Sequence, residues 1–316
     1  MIDADAVKAA LAAVADGRAS VRVDGARVGV VLDATGLPGD ERDALEARVR
    51  AAAALPGVAE VRVAVTAERA RRRLVAVASG KGGVGKSTVA ANLAIALARG
   101  GRRVGLVDAD IYGPSQPRLM RAEGIRPEAL DKKLLPVATP FGVPMLSMGQ
   151  LVEPGRALAW RGPMTAGALG QLVDADWGAA DTLVVDLPPG TGDVQLTMVQ
   201  KHRPAGAVIV STPQDLALID ARRAIDLFAT AGVPVIGMVE NMAGYACPHC
   251  GGVSDPFGRG GAEAEAARLG VPFLGRVPLA ISIREASDAG QPPAAGEDDR
   301  VFRPIADQVA AWLEAH

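Results

Sequence analysis

Residues 80–87 of this 316-residue chain read Gly-Lys-Gly-Gly-Val-Gly-Lys-Ser, which fits G-x-x-x-x-G-K-[ST] between an apolar stretch, LVAVAS, and a helical one, TVAANLAIALA. Strand, glycine-rich turn and helix in that order form an anion cradle. Gly80, Gly82, Gly83 and Gly85 let successive backbone N–H groups converge on phosphate oxygens, and the helix start adds the positive end of its dipole. Lys86 is placed to hold the terminal phosphates and the Ser87 hydroxyl to ligate Mg2+; Val84 and Thr88 complete the binding turn. The chemistry indicated is binding of ATP with Mg2+. Lys81, a second lysine inside the loop, adds positive charge beyond the motif's need and could reach a neighbouring subunit's phosphates.

Phosphoryl transfer also requires a metal near the β- and γ-phosphates and an oriented water. Acidic residues stand at the ends of two later apolar runs: Asp108 and Asp110 in LVDADIYGP, and Asp186 in TLVVDLPPGTGD. A single aspartate after a strand is as readily a turn former or helix cap. Three such residues in this order after a phosphate loop favour the catalytic reading. Asp186 closes its apolar run as a metal-supporting carboxylate does, Asp108 is metal-side or structural, and Asp193 is expected to cap the next helix.

The chain has two cysteines, Cys247 and Cys250, in ENMAGYACPHCGG. A C-x-x-C is a redox dithiol or half of a four-thiolate metal site. Its place in a loop after the strand PVIGMVEN, late in the chain, argues against a thioredoxin-like dithiol. Two copies in a dimer would supply four thiolates, which suit a [4Fe-4S] cluster or tetrahedral zinc equally. A regulatory dithiol would instead close one disulfide per chain. Pro248 and the flanking glycines bend the chain so that both sulfurs face one way; His249 between them is expected to point away from the metal, a ligand role being the alternative. His202 and His316 read as surface residues.

The elements that carry these groups follow from hydrophobic periodicity. Residues 1–66 show a helix (Val7, Leu11, Val14), a hairpin about Asp24-Gly25, a second helix near 40–55 and a strand, VAEVRVAVT, which makes a small α+β domain. A charge run at 67–73, AERARRR, reads as a linker. From 74 to 316, LVAVAS, RVGLVDAD, TLVVDLPP, AVIVSTP and PVIGMVEN alternate with amphipathic helices. Continuous apolar strands are what a parallel sheet covered on both faces requires, so this part is expected to be a doubly wound, mostly parallel α/β domain. GPSQP near 113–117 and AGQPPAAGEDD near 289–299 read as loops.

Composition bounds the function. With 34 Lys and Arg against 36 Asp and Glu, the net charge is −2, which disfavours a nucleic-acid binder. No signal-peptide pattern and no uncharged apolar run of about 18 residues is present, so a cytoplasmic protein without membrane attachment is expected. The last segment, VFRPIADQVAAWLEAH, lacks the basic face of a membrane-surface helix and reads as a docked one.

The phosphate loop, K-G-G-x-G-K-S-T, resembles the deviant loop of dimeric ATPases that include nitrogenase iron protein and septum-positioning and partition ATPases. That resemblance implies a homodimer in which Lys81 contacts nucleotide across the interface. It also places Asp110 in switch I, positioning the attacking water, and Asp186 at the start of switch II. Together with DADIYGPSQP, WRGPM, DLPPGTGD, ENMAGYACPHCG and VPLAISIREASDAGQP, the chain from 74 to about 300 resembles the Mrp/ApbC family of iron–sulfur cluster carrier ATPases. The N-terminal unit resembles the small iron–sulfur-assembly domain often fused ahead of it. The resemblance implies a [4Fe-4S] cluster held between subunits by both C-x-x-C pairs, slow ATP hydrolysis, and delivery to apo iron–sulfur proteins from cluster scaffold proteins. It assigns the adenine contact to Asn241; Arg161 and Met164 are expected to pack beside the nucleotide. The alternative is a positioning ATPase with structural zinc at the same cysteines. Two departures stand out: the N-terminal domain has no cysteine, and the extra N-terminal cysteine motif of eukaryotic cytosolic relatives is missing, as in bacterial forms.

Overall fold

The computed structural model describes residues 3–35, 37, 39–66, 72–111, 113–151, 162–296 and 299–316. Arg161 and most of the expected linker lie outside the described residues. Contacts divide the chain into two compact units, Met1–Arg72 and Arg73–His316.

The first unit runs α1 (Ala4–Ala15), β1 (Ala19–Asp24), β2 (Arg27–Asp33), α2 (Gly39–Ala53) and β3 (Glu60–Thr66). Asp3 opens α1 by accepting the Asp5 N–H at 2.9 Å, satisfying one of the donors a helix start leaves free. The Asp24-Gly25 signal does make a hairpin: Gly25 takes φ +58°, and β1 and β2 pair antiparallel. β3 then joins β2 in parallel. Val28, Val30 and Leu32 alternate toward the helices and bury against Val7, Leu11 and Val49, as the period of two in a one-sided sheet requires.

In the second unit seven strands form one sheet: β4 (Arg73–Ala78), β5 (Val104–Asp108), β6 (Met145–Ser147), β7 (Thr182–Asp186), β8 (Gly206–Ser211), β9 (Val235–Asn241) and β10 (Phe273–Val277). Their order is β10-β9-β8-β4-β7-β5-β6, and every neighbouring pair is parallel. The helices are α3 (Lys86–Arg99), α4 (Gln116–Leu119), α5 (Gly162–Val173), α6 (Asp193–Thr197), α7 (Asp215–Thr230), α8 (Gly261–Leu269), α9 (Ile281–Asp288) and α10 (Arg303–Ala315). Along β4, Val75 and Val77 enter one core with Leu93 and Leu97 of α3 and Leu313 of α10. Leu74 and Ala76 enter the other with Leu172 of α5 and Phe228 of α7. Burial on both faces is why these strands read as unbroken apolar runs.

Several sequence expectations change in detail. β4 begins at Arg73, inside the expected linker. The edge strands β6 and β10 carry no clear strand pattern: β6 has three residues, and Gly275 interrupts β10 at φ +145°. The loop near 113–117 turns into α4 at Gln116. In the loop near 289–299 a single 3-10 turn, Pro293–Ala295, is tied down by Asn92, whose Oδ1 accepts the Ala294 N–H at 2.8 Å. α10 docks through Ile305, Val309 and Leu313, and among the described residues no helix is long and apolar enough to cross a membrane.

α7 and α8 are joined by Glu265, 5% exposed at its side chain, which accepts Arg222 Nη2 at 2.8 Å and Arg268 Nη2 at 2.7 Å. These guanidinium bonds hold its carboxyl down at about 2, against an ordinary 4.5. A depressed carboxylate stabilises the fold above its ordinary pKa and loses that contribution as pH falls through its folded value. Because the arginines are half exposed, Glu265→Gln is expected to cost about 1–2 kcal/mol at pH 7. Thermal unfolding of both proteins should show that gap closing as pH drops from about 5 toward 2; a constant gap would assign the effect to packing rather than charge.

Candidate nucleotide site and cysteine loop

The turn after β4 is shaped by close approach. A Cβ on Gly80 would lie 2.0 Å from the Asp220 carbonyl oxygen of α7, and one on Gly85 would lie 2.1 Å from Asn241 Nδ2. Gly83 and Gly85 take φ +80° and +79°, the left-handed region in which a side chain is strained. A cavity of about 1070 Å³ opens over this turn, lined by Lys81, Gly82, Gly83, Gly85, Lys86, Ser87 and Thr88, a volume that accommodates a nucleoside triphosphate. Asp110 and Asp193 face it from the other side. Lys81 is exposed at its rim; Val84 is buried, with its side chain in the core.

Beneath the cavity lies a compact group of charges. Lys86, 6% exposed, is ion-paired with Asp186, which is fully buried, and its ammonium is 3.4 Å from Ser87 Oγ. Asp186 and Asp108 are register partners at the ends of adjacent parallel strands β7 and β5. Burial first, and then the charge of Asp186, push the Asp108 carboxyl up to about 8. That carboxyl accepts the Ser147 hydroxyl at 2.9 Å, the Asp110 N–H at 3.1 Å and the Gln116 N–H at 3.3 Å. Asp108 therefore braces the backbone at Asp110 and at Gln116, a structural role. Asp110 reaches the cavity, and its Oδ1 accepts the Gly113 N–H at 3.2 Å.

The donors fit Mg2+. Ser87 and Asp186 offer hard oxygen atoms at the phosphate turn, and Mg2+ keeps several waters and substrate phosphates rather than filling an all-protein cage. Among the described residues no group of three His, Cys, Asp or Glu side chains forms such a cage.

Asn241 ends β9 against the phosphate turn, where its Nδ2 donates to the Val84 carbonyl at 2.7 Å; it is not among the residues lining the cavity. The next turn of chain makes a small hairpin, Tyr245–Ala246 with Val253–Ser254, and its tip carries both cysteines. The Cys247 N–H donates to the Gly252 carbonyl and the Gly251 N–H to the Cys247 carbonyl, each at 2.9 Å. Backbone N–H groups of His249 and Cys250 point at the Cys247 sulfur and lower its pKa, which favours the thiolate that binds metal. Both thiols are free, Cys247 half-buried and Cys250 exposed. His249 is exposed.

Three expectations need correction. Gly192, not Asp193, caps α6; Asp193 is the first helical residue and faces the cavity, because the preceding glycine already provides the extended entry. His202 is half-buried rather than on the surface, with a buried, unpartnered Nε2, and burial lowers its pKa; the turn after α6 folds it under the chain. Met164, expected beside the nucleotide, is 54% exposed and does not line the cavity, whereas Thr165 does. His316 is at the surface, stacked on Trp312.

Sequence reasoning missed Gln116, Ser147 and Glu240. The fully buried Glu240 accepts N–H groups of Gly260 at 3.0 Å and Ala262 at 2.8 Å, tying down the far root of the cysteine loop. Its only sequence signal was a polar pair, Glu240-Asn241, closing an apolar strand.

The family of NUBPL iron-transfer P-loop NTPases, of the ParA type, matches residues 70–313, and the chain belongs to it. An iron–sulfur cluster carrier protein of Pseudomonas fragi is 50% identical over 232 residues, 73% of this chain and 81% of that one. An Arabidopsis thaliana protein described as an iron–sulfur protein required for NADH dehydrogenase, mitochondrial, is 51% identical over 67% of this chain and 68% of its own length. Among solved structures, the Archaeoglobus fulgidus nucleotide-binding protein in complex with ADP superposes with TM-score 0.62 at 39% identity, over 72% of this chain and 88% of that one.

Gly80→Ala tests the packing of the phosphate turn. The added methyl meets α7 backbone, which cannot yield as a flexible side chain does. Titration with a fluorescent ADP should show affinity at least about tenfold weaker, a loss of about 1.4 kcal/mol or more, with little change in circular dichroism; unchanged affinity would mean the turn relaxes around the methyl.

Proposed function

We propose that this chain is an ATP-binding and slowly ATP-hydrolysing iron–sulfur cluster carrier. It works as a homodimer in the cytoplasm, receives a [4Fe-4S] cluster from scaffold proteins, and transfers it to apo iron–sulfur proteins. The observation that carries this reading is the cysteine turn: two free thiols, one of them favoured as thiolate by backbone N–H groups, with no third ligand beside them among the described residues. A second copy would complete a four-thiolate set for the cluster as cargo.

In the nucleotide step the residues divide the work. Gly80 to Thr88 cradle the phosphates, Lys86 moves from Asp186 to the terminal phosphates, and Lys81, exposed at the rim, reaches nucleotide held by the partner subunit. Asp110, fixed from behind by Asp108, orients a water whose oxygen bonds to the γ-phosphorus as the bond to the ADP oxygen breaks, the water proton leaving to solvent or phosphate. Mg2+, held by Ser87 and supported by Asp186, would neutralise charge on the phosphates. Asn241, whose amide donates to the Val84 carbonyl of the phosphate turn, lies on the strand that leads to the cysteines, so nucleotide occupancy and cluster retention are coupled; the adenine contact that the resemblance gives it requires its side chain to turn into the cavity. The N-terminal unit, residues 1–66, contains no cysteine and so does not ligate the cluster by thiolate; recruitment of partners or packing is left to it.

The test is anaerobic reconstitution with iron and sulfide, followed by metal analysis and light scattering. About four irons and four sulfides per dimer are expected, lost in Cys247→Ser; zinc instead would favour a positioning-type ATPase with a structural metal site, and a metal-free monomer would remove the carrier reading. For the coupling, cluster transfer to an apo-ferredoxin should depend on ATP in the wild type and not in Lys86→Ala.

A further inference from the structure

Gln116 is fully buried at the first residue of α4, in a stretch that reads from sequence as a loop. Its side-chain Nε2 donates to the Ser87 carbonyl at 2.9 Å and to Asp186 Oδ2 at 2.8 Å. Both partners only accept, so the nitrogen must face them and the amide orientation is set by chemistry. Its own N–H is held by Asp108 Oδ2 at 3.3 Å. The remaining atom, Oε1, is buried with no hydrogen-bond partner among the described residues. A buried acceptor without a donor is destabilising, so this position carries an amide at some cost to the fold, and both of that amide's donors go to the two residues on the metal side of the phosphate turn.

We propose that Gln116 is a positioning residue for the nucleotide-bound Mg2+: one amide spans the Ser87 turn and the Asp186 carboxylate and holds the two as a unit. Gln116 meets the phosphate turn only at the Ser87 carbonyl; the loop N–H groups and the Lys86 ammonium, which would meet the phosphates, make no bond to it. Removing the amide would loosen the pair and so weaken the metal's contribution to binding, as loss of outer-shell hydrogen bonds does at other metal sites. The inference rests on the Mg2+–nucleotide reading of the site.

The experiment compares ADP affinity in Mg2+ with ADP affinity in EDTA, for wild type, Gln116→Met and Gln116→Leu, neither of which carries a hydrogen-bond donor. The ratio of the two affinities should fall about tenfold or more in a variant whose EDTA affinity stays within about twofold of wild type. An unchanged ratio, or equal weakening with and without Mg2+ in both variants, overturns the proposal and leaves Gln116 a packing residue. A wild type that binds ADP without any effect of Mg2+ overturns it too, with the nucleotide reading intact. A wild type that binds no ADP removes the nucleotide reading itself.

Discussion

Asp186 sits fully buried at the end of β7, beside the strand that launches the phosphate loop, and its negative charge organises everything around it. A bare carboxylate in that place would be prohibitively desolvated. Lys86 balances it from the loop, and Gln116 donates to its other oxygen. The same charge reaches Asp108, its register neighbour, whose carboxyl rises to about 8 through burial and this proximity. Asp108 in turn fixes the backbone of Asp110 and Gln116. The phosphate turn, the cavity-facing Asp110 and the short helix α4 are thus held by one buried polar group whose members depend on one another.

A second set of bonds runs from the phosphate turn toward the cysteines. Side chains alternate across a strand, so the consecutive residues Glu240 and Asn241 at the end of β9 face opposite sides of the sheet. Asn241 donates to Val84 in the phosphate turn, whereas Glu240 takes the N–H groups at the start of α8, where the cysteine loop ends. Arg276 from β10 supports Glu240 with a bond at 3.1 Å. One strand end therefore grips both loops. The thiols themselves sit on a turn whose backbone is already closed by hydrogen bonds.

Local signals in the sequence carried much of this. The phosphate motif, the Asp24-Gly25 hairpin, the central apolar strands and the C-x-x-C are each written in a few adjacent residues, and chemistry or backbone geometry constrains them where they stand. Less was legible where an element is defined by its neighbours: β6 has three residues and β10 a glycine at φ +145°, so both are strands because the sheet offers an edge. His202 looked like a surface histidine because no nearby residue announces its burial.

What the sequence determined alone was the inventory: an anion cradle, three aspartates at strand ends, one pair of thiols and the two kinds of domain that present them. What the tertiary structure decided was the division of labour among them. Asp108, Asp110 and Asp186 look alike in sequence, yet register opposes Asp108 to Asp186 in the interior and leaves Asp110 at the cavity. Gln116 acquires its place only when α4 folds over the ends of β5 and β7. Such roles depend on contacts between residues far apart in the chain, and hydrophobic periodicity records which face a residue takes but not which distant polar group waits there.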